Sequence, residues 1–455
     1  MKKNKKIKIL IFIPILFFIF YSLKNFAAED KRFNSLKSLL SFEQKQIIKK
    51  YFFPYKFIAE QNQKIMSQSL YNMELDFKRN SYDIKILKDN SLANGYYLKR
   101  LKLVGGFYAG ISTLPPGTGY LDFMDNELLV LSSRGVLAYS KDIDKMNDLK
   151  QIKNNINEFI NLKQFMKNRW FSIKDILVSD KKIFVSYTEE IEEDCWNTSV
   201  IYGDINYEKI NFIKLFSPKT CVHAYKNIDS EFNATQSGGR IIQLNKNNIL
   251  LSIGDYRSRH LAQDRQSVNG KIIKINIVNG EYEIVSMGHR NPQGLYFDKK
   301  NYFILETEHG PRDGDEINLI KVNDISKNEP LNYGWPIVSY GEHYCKKRGD
   351  CAKNLYTKYP LNKSHSEFNF IEPLKTFVPG IGISEIVNIG DNKYALSSLK
   401  DKSIYFFELS DKKKIINLER IEISERIRDL KFNNNKLYLF LENTASIGII
   451  DLNKD

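Results

Sequence analysis

The feature of this sequence that most restricts its fold is a long succession of short β-type runs between residue 95 and the C-terminus. Typical runs are NILLSIGD, GKIIKINI, SIYFFEL and KLYLFLE. Turn-forming pairs precede several of them, including Asp180-Lys181, Asn245-Lys246 and Asn434-Asn435, as expected for antiparallel strands joined by tight turns. Helical segments do not alternate with these runs, so the pattern argues against an α/β fold with crossover helices.

This organisation predicts an all-β repeat fold over residues 95–455. A β-propeller fits best, because blades of four strands take ~40 to 50 residues each, and the span then accommodates seven blades, or six with insertions. A pair of large β-sandwiches is the alternative. Exact internal repeats are not visible in the sequence, so periodicity alone leaves the number of blades open.

The first 28 residues have the pattern of an export signal. Five lysines among the first eight residues precede an almost wholly apolar run, ILIFIPILFFIFYSL, at residues 9–23. Positive charge followed by such a run predicts a secretory signal, so we expect the rest of the chain to be periplasmic or otherwise extracytoplasmic. The run is shorter than the ~20 apolar residues of a membrane-spanning helix. Cleavage and a marginal anchor in the inner membrane therefore both stay open.

Residues 29–90 have a different, helical character. Segments such as EQKQIIKKYFF and EQNQKIMSQSLYNMEL place apolar residues three and four positions apart, which is the spacing of one face of an α-helix. Pro54 is expected to divide this region into two pieces. We expect a helical stalk or packing segment with no chemistry of its own.

The chain of 455 residues is basic, with 68 Lys and Arg against 54 Asp and Glu and a formal charge of +14. The basic residues are scattered among acidic ones except at the extreme N-terminus. Since no zinc-finger or arginine-rich pattern accompanies them, the sequence gives no support for nucleic-acid binding.

The four cysteines are Cys195, Cys221, Cys345 and Cys351. Four cysteines allow three pairings, and nearness in sequence favours Cys195 with Cys221 and Cys345 with Cys351. In an exported protein, disulfides are expected rather than zinc, because neither pair has zinc-type spacing with nearby histidines.

Residues 236–344 differ from the rest of the chain in their motifs. They contain QSGGRI, GHRNPQGL, TEHGPRDGDEINLI and NYGWP, and four of the six histidines, His260, His289, His309 and His343. Glycines next to charged and amide side chains at strand ends are what a site needs when the backbone must approach a ligand closely. The sequence therefore places the candidate site in this region.

In order and spacing, GHRNPQGL, EHGPRDGDEINLI and NYGWP resemble the quinoprotein glucose/sorbosone dehydrogenase family, the soluble type that includes aldose sugar dehydrogenases. The resemblance runs from about residue 238 to residue 430. It implies a six-bladed β-propeller that holds pyrroloquinoline quinone (PQQ) at its axis with Ca²⁺ beside it. It also implies a small-molecule sugar as substrate, whose hydroxyl is oxidised as hydride passes to the quinone.

The resemblance implies cofactor contacts for a set of basic residues. Arg290 and Asn291 match the family's cofactor-contacting pair, while Lys400, Arg426 and Arg428 match residues expected to reach the quinone carboxylates. Guanidinium groups suit carboxylates. Residues two apart on a strand face the same way, so Arg426 and Arg428 are expected to converge on one anion. Structural ion pairs or a solvated charge run are the alternatives.

The resemblance also implies metal ligands. Gly310 and Pro311 match positions whose main-chain carbonyls bind the calcium beside the cofactor, and Ca²⁺ takes carbonyl oxygens readily. His309, which precedes them, is assigned to the surroundings of the cofactor or calcium. Glu316 matches an acidic residue at a second, structural calcium site in some members, with an ordinary surface carboxylate as the alternative.

The chain departs from the family at the catalytic base. By spacing, the family's histidine falls on Gln236, whose amide cannot accept a proton at any useful pH. Loss of a general base typically costs ~10² to 10⁴ in rate. His260 is the hypothesised substitute, acting as base or substrate ligand, and an ordinary surface-loop histidine is the alternative.

Two functions therefore stay open. The first is a PQQ-dependent, calcium-requiring sugar dehydrogenase-like protein, which the basic residues favour. The second is a non-catalytic propeller that binds a sugar, a quinone or a protein partner, which Gln236 favours.

Overall fold

The computed structural model describes residues 78–103, 107, 117–142, 147–160, 171–325, 329–344 and 350–453, together with Gln44, Ile47 and Gln164. The expected export signal and almost all of the expected helical segment before residue 78 lie outside these residues. In the part of the chain that is described, no helix is long and apolar enough to cross a membrane.

The described residues form 29 strands. In chain order the first fifteen are β1 (Ser81–Asp83), β2 (Lys85–Ser91), β3 (Tyr97–Lys102), β4 (Gly119–Met124), β5 (Glu127–Ser132), β6 (Leu137–Ser140), β7 (Asp148–Asn154), β8 (Ile173–Ser179), β9 (Lys182–Glu192), β10 (Cys195–Asp204), β11 (Lys209–Ile210), β12 (Ile213–Phe216), β13 (Val222–His223), β14 (Gly238–Asn245) and β15 (Asn248–Ile253). The others are β16 (Lys271–Asn276), β17 (Tyr282–Met287), β18 (Pro292–Asp298), β19 (Phe303–Glu308), β20 (Asp315–Lys321), β21 (Leu331–Asn332), β22 (Lys375–Phe377), β23 (Ile383–Gly390), β24 (Lys393–Ser398), β25 (Ser403–Leu409), β26 (Ile415–Glu422), β27 (Ile427–Asn433), β28 (Lys436–Leu441) and β29 (Ser446–Asp451). The helices are α1 (Ile156–Phe159) and α2 (Asp350–Lys358), with 3-10 helices at Ala93–Gly95, Arg259–Ala262, Val322–Asp324 and Ser366–Phe368.

The strands form six sheets, which are the blades of a propeller. Blade 1 contains β1, β4–β7 and β11, blade 2 contains β8–β10, β12 and β13, and blade 3 contains β14–β17 and β21. Blade 4 contains β18–β20 and β22, blade 5 contains β23–β26, and blade 6 contains β27–β29 with β2 and β3. All pairings are antiparallel except those of β11 with β7 and β21 with β17.

The blades close into a ring through their innermost strands. Each of β4, β8, β14, β18 and β23 contacts the innermost strand of the next blade, and β27 contacts β4. In blade 6, β3 from the N-terminal side pairs with β29 from the C-terminal end, so one sheet joins the two ends of the domain. The all-β propeller prediction is confirmed with six blades, and the sandwich alternative is excluded.

The tight turns follow the predicted positions. Asp180 and Lys181, between β8 and β9, have φ of 48° and 62°, and Asn434 and Asn435, between β27 and β28, have φ of 49° and 57°. Two consecutive left-handed residues make the hairpin turn whose twist matches that of antiparallel strands.

The helical segment expected up to residue 90 is wrong at its C-terminal end, because β1 and β2 begin at Ser81 and Lys85. Tyr82 in β1 lies opposite Leu149 of β7 and is buried, and β2 pairs with β3 at the edge of blade 6. Strand β1 obtains its hydrogen bonds from β7, and β2 pairs with β3, which is itself held by the C-terminal β29. These tertiary contacts override local helical periodicity.

One predicted disulfide is confirmed. Cys195, the first residue of β10, is bonded to Cys221, and their Cα atoms are 5.3 Å apart. Cys345 and the side chain of Cys351 lie outside the described residues, so the second predicted pair stays a prediction.

An ionic hub lies at the propeller axis. Arg240 of β14 approaches Asp175 of β8 at 2.8 Å, Asp429 of β27 at 2.7 Å and Glu385 of β23 at 2.8 Å, and all four side chains are buried. Asp429 also accepts a hydrogen bond from the backbone NH of Leu121 in β4.

The ionic hub also reaches blade 4. Glu385 accepts a hydrogen bond from the backbone NH of Leu295 in β18. Residues of all six blades are therefore joined around one guanidinium group, which fixes the inner strands that carry the candidate site. The three carboxylates raise the pKa of Arg240 although its burial acts in the opposite direction.

Candidate functional site

A cavity of about 390 Å³ lies near the propeller axis, a volume within the usual range for small-molecule sites. Its walls come from the segments that lead into the innermost strands β14, β18, β23 and β27, and from the connection between β19 and β20. This arrangement gathers residues far apart in sequence. The predicted site residues that line the cavity are Gln236, Arg290, Asn291, His309, Gly310, Pro311, Lys400, Arg426 and Arg428.

The cavity wall is positively charged. It includes five basic side chains, Arg257, Arg290, Lys400, Arg426 and Arg428, against two acidic ones, Asp313 and Asp315. Guanidinium and ammonium groups gathered in a concave site favour an anionic ligand.

Arg290 is held in place by backbone carbonyl groups in the connection between β19 and β20. Its Nη1 donates to the carbonyl oxygen of His309 at 2.8 Å and also to that of Gly310. Its guanidinium carbon lies 5.6 Å from the centre of the Trp335 ring and 5.8 Å from that of Tyr344. The carbonyls of residues 309 and 310 therefore face a positive charge inside the cavity.

Gln236 bridges charged groups at the cavity wall. With its amide oxygen turned toward the guanidinium groups, it accepts from Arg290 Nη2 at 2.9 Å and Arg257 Nε at 3.1 Å, and its nitrogen donates to Asp255 Oδ1 at 3.3 Å. The chain then enters β14 through Gly238 and Gly239, whose φ values of +60° and +112° favour glycine. An amide in this position orients the two arginines and offers no proton acceptor.

Arg426 and Arg428 converge as predicted, and the anion between them is Glu442. Their Nε atoms lie 2.9 Å and 2.8 Å from the Glu442 carboxylate, which is 1% exposed and also accepts from Thr118 Oγ1. Although burial acts to raise it, the two arginines hold the pKa of Glu442 below its ordinary value. Glu442 therefore partly neutralises the charge of Arg426 and Arg428, and both arginines also line the cavity.

Lys400 lies at the cavity rim, where its Nζ is 3.6 Å from Asp313 Oδ1. Asp315 accepts hydrogen bonds from the backbone NH groups of Gly310 and Gly382, at 3.2 Å and 2.6 Å. The wall around Gly310 and Pro311 thus combines main-chain carbonyls with carboxylates, the oxygen ligands that Ca²⁺ prefers.

Of the histidines in the described residues, His309 lines the cavity wall. Its Nδ1 lies 3.4 Å from the side-chain nitrogen of Asn291, and burial lowers the pKa of His309 below its ordinary value. The imidazole is therefore mainly neutral at neutral pH. Because the amide nitrogen of Asn291 can only donate, Nδ1 accepts this contact and its lone pair faces Asn291.

His260 and Glu316 do not line the cavity. His260 lies in the 3-10 helix Arg259–Ala262, where its electrostatic neighbours are Asp229 and Lys358, so its position does not support the hypothesised role as base. Glu316 is not a surface carboxylate but is buried on β20, where it lies opposite Glu308.

Several charged residues of the site were not predicted from the sequence. Arg257, Asp313 and Asp315 line the cavity. Asp313 and Asp315 belong to the motif TEHGPRDGDEINLI, and Arg257 lies three residues before His260. Lys174 and Arg240 line a small extension of about 40 Å³, which shares Thr235, Gln293 and Arg428 with the main cavity.

Lys174 had no sequence signal, because it is a lysine within an ordinary strand, β8. It is fully buried, and its Nζ lies 3.4 Å from the carbonyl oxygen of Ala234. Burial, assisted by the nearby Arg428, lowers the pKa of Lys174 to about 7.

Comparison with known proteins identifies the family. The sequence profile described as glucose / sorbosone dehydrogenase matches residues 123–449. The chain is 30% identical over 224 residues to the uncharacterized protein slr1608 of Synechocystis sp., an alignment that covers 43% of this chain and 50% of that protein. It is 27% identical over 177 residues to aldose sugar dehydrogenase YliI of Escherichia coli, covering 36% of this chain and 44% of that protein.

A solved structure shows the same fold. The PQQ-bound form of aldose sugar dehydrogenase from Streptomyces coelicolor superposes with a TM-score of 0.51 and 18% identity, covering 74% of this chain and 99% of that one. The sequence alignments span half or less of the length of these curated relatives. The profile match covers most of the propeller, so the chain belongs to the glucose/sorbosone dehydrogenase family.

Proposed function

We propose that this protein binds PQQ with Ca²⁺ in the axial cavity and acts as a sugar dehydrogenase on aldoses. The observation that carries the proposal is the gathering of five basic side chains around a cavity of about 390 Å³, in a member of a family that includes a PQQ-bound aldose sugar dehydrogenase. When bound, PQQ supplies a quinone that accepts hydride from the sugar carbon.

The residues present fit an anionic quinone and a calcium ion. Arg290 donates to backbone carbonyl oxygens and to the amide oxygen of Gln236, all of them uncharged, so its charge is available to a ligand carboxylate. Support for a cation site comes from Gly310, Pro311, Asp313 and Asp315, which line the same wall, although calcium would have to replace the contact of Arg290 with the carbonyl of Gly310.

Different groups of this chain would hold the quinone and the calcium ion. Lys400, Arg426 and Arg428 would hold the quinone carboxylates, and the carbonyls of Gly310 and Pro311 would hold calcium. Asn291 would position this wall, because its Oδ1 accepts from the backbone NH of Gly238 at 3.2 Å. That bond joins the start of β14 to the start of β18.

The site lacks a general base at residue 236. Gln236 cannot take the proton of the sugar hydroxyl, and its bridging bonds make it a positioning residue. His309, neutral and at the wall, is the proposed acceptor in place of His260. We expect turnover below that of a relative with a histidine at position 236, by ~10² to 10⁴-fold.

A second candidate is a propeller that binds a sugar, a quinone or a protein partner without turnover. The observation that favours it is the fully engaged amide of Gln236 between Arg257, Arg290 and Asp255. This candidate shares the ligand cavity and differs only in the absence of hydride transfer.

We also propose that the protein is exported. The lysine-rich start and the apolar run at residues 9–23 support an export signal. The disulfide between Cys195 and Cys221 supports an oxidising compartment. A marginal membrane tether through residues 9–23 is part of this proposal.

The test is calorimetric titration of the purified protein with PQQ, with and without Ca²⁺, followed by dye-coupled assays over a panel of aldoses. Lys400→Ala is expected to weaken PQQ binding, whereas Lys300→Ala, on an exposed turn, is the matched control and is expected to have no effect. Binding without turnover selects the second candidate. Absence of PQQ binding at micromolar concentration rejects the enzyme.

A further inference from the structure

A second polar cluster lies inside blade 4, separate from the cavity. Glu306 and Glu308 alternate along β19, and Glu316 and Asn318 alternate along β20, so each pair faces one side of the sheet. Glu308 is opposite Glu316, and Glu306 is opposite Asn318. The side chains thus form a compact patch, and His289 lies against it, with Nδ1 4.0 Å from Glu306 Oε2 and 3.8 Å from Glu308 Oε2.

The cluster lies in the protein interior. Glu306, His289 and Asn318 are 0% exposed, Glu308 is 4% exposed and Glu316 is 5% exposed. Buried carboxylates are normally paired with a cation or with several donors.

Besides His289, the imidazole of His365 lies beside these carboxylates, with Nε2 3.8 Å from Glu316 Oε1. Within the described ranges, no Lys or Arg forms an ion pair with Glu306, Glu308 or Glu316. The donors they receive include the amide of Asn318, at 3.0 Å from Glu306 and 3.4 Å from Glu316, and the backbone NH groups of Arg290, at 2.8 Å from Glu308, and of Asn291. Glu308 and Glu316 are also hydrogen-bonded to each other.

His289 presents an unused acceptor to the cluster. Its Nε2 lies 2.8 Å from Ser286 Oγ, and its Nδ1 has no hydrogen-bond partner among the described residues. Burial lowers the pKa of His289 to about 3, so the ring is neutral. When Nε2 carries the proton and donates it to Ser286, the lone pair of Nδ1 faces the carboxylates.

Two more acceptor atoms are unpaired in the described part of the chain, Glu306 Oε1 and Asn318 Oδ1. Acceptors that converge without donors lack the partners that buried polar atoms normally have. The ligand atoms of His289, Glu306 and Glu308 lie within 4.8 Å of one another, close enough for one ion to contact all three residues.

We propose that His289, Glu306 and Glu308, supported by Glu316 and Asn318, bind a divalent transition-metal ion, Zn²⁺ or Mn²⁺, inside blade 4. The imidazole nitrogen decides the class of metal, because calcium takes oxygen ligands whereas mixed nitrogen and oxygen sets suit Zn²⁺ and Mn²⁺. The site goes beyond the calcium that the resemblance implies at Glu316, since its direct ligands are His289, Glu306 and Glu308 and its ion is a transition metal.

The site would stabilise the wall of the axial cavity. Glu308 is the last residue of β19 and directly precedes His309 and Gly310, and its carboxylate holds the backbone NH of Arg290. A metal ion on Glu308 would therefore fix the segment that carries the cavity carbonyls, without contacting a ligand in the cavity.

The test measures metal content in the full chain without PQQ. The protein is stripped with EDTA, exposed to equimolar Zn²⁺, Mn²⁺ and Ca²⁺, passed through gel filtration and analysed by elemental mass spectrometry. We expect one transition-metal ion per chain and a higher melting temperature than that of the stripped protein.

Two variants test the ligands. Glu306→Gln and His289→Phe, the latter keeping a ring stacked on Tyr333, should each reduce the retained transition metal at least ~10-fold. Glu281→Gln, at an exposed glutamate, is the matched control and should retain it fully.

Three results would overturn the site: wild-type protein that retains no transition metal, retention unchanged in both variants, or retention of calcium alone. If a variant does not fold, the wild-type metal content still decides. Since PQQ is absent, failure of the proposed dehydrogenase function would not affect this outcome.

Discussion

Replacement of Arg240 by methionine should destabilise the propeller severely. The substitution keeps a long side chain but removes the guanidinium that contacts Asp175, Glu385 and Asp429 within 2.8 Å. Removing one partner of a buried ion pair costs about 3–5 kcal/mol, because the remaining charge is left uncompensated. With three carboxylates on one arginine, we expect a loss of unfolding free energy of about 5 kcal/mol, the upper end of that range.

The matched control is Arg420→Met. Arg420 also contacts a carboxylate, Asp401, at 2.7 Å, but its side chain is 44% exposed, and exposed ion pairs contribute at most ~1 kcal/mol. Urea unfolding followed by tryptophan fluorescence and circular dichroism measures both variants. If Arg240→Met is too unstable to purify, Asp175→Asn should show an intermediate loss. A loss for Arg240→Met no larger than that for Arg420→Met would refute the role of the hub.

Three further predictions concern single features of the chain. Gln236→His should raise dye-coupled aldose turnover by ~10² or more, since it restores a general base. Unchanged turnover at unchanged PQQ affinity would contradict the proposal that residue 236 is the position of the missing base. Cys195→Ser together with Cys221→Ser should lower the unfolding free energy by about 3 kcal/mol, for a bridge spanning 26 residues, as measured by urea unfolding against oxidised wild type; reduced wild type should match the variant. Lys174 has its pKa lowered to about 7 by burial, so the folded state binds fewer protons than the unfolded state between that pH and about 10. Lys174 should therefore make stability rise with pH across this window by up to ~1.4 kcal/mol per pH unit. Lys174→Met should reduce the slope by that amount, while Lys271, whose pKa burial also lowers to about 7, keeps its own contribution.

Much of the architecture could be predicted because its signals are local. Hairpin strands are adjacent in sequence, and the turn pairs at residues 180–181 and 434–435 mark their boundaries directly. The number of blades followed from the family resemblance, since the blades share no visible repeat. Strands β1 and β2 could not be predicted, because they join the edges of sheets completed by β7 and by β3 with β29.

The candidate site was predictable where residue type and motif agree. Arg290, Lys400 and Arg428 line the cavity as expected. The partner of Arg426 and Arg428 was not predictable, because Glu442 follows β28 in a segment without a motif and meets the arginines only when blade 6 forms. Spacing along the chain also cannot tell which way a 3-10 helix directs a side chain, and for that reason His260 was misplaced.

The polar interior of blade 4 illustrates the same limit. His289 and Glu308 belong to recognised motifs, but Glu306 reads as part of an ordinary strand. Only the register of β19 against β20 places three carboxylates on one face, so the cluster is a property of the sheet rather than of a motif.

The most direct test of the central claim is the calorimetric titration of the purified protein with PQQ in the presence of Ca²⁺. Binding of one PQQ per chain at micromolar or tighter affinity is expected, weakened by salt and by Arg428→Leu, because the basic wall of the cavity supplies the attraction. No detectable binding in calcium-containing buffer, with the protein folded, would contradict the assignment of the axial cavity to an anionic quinone.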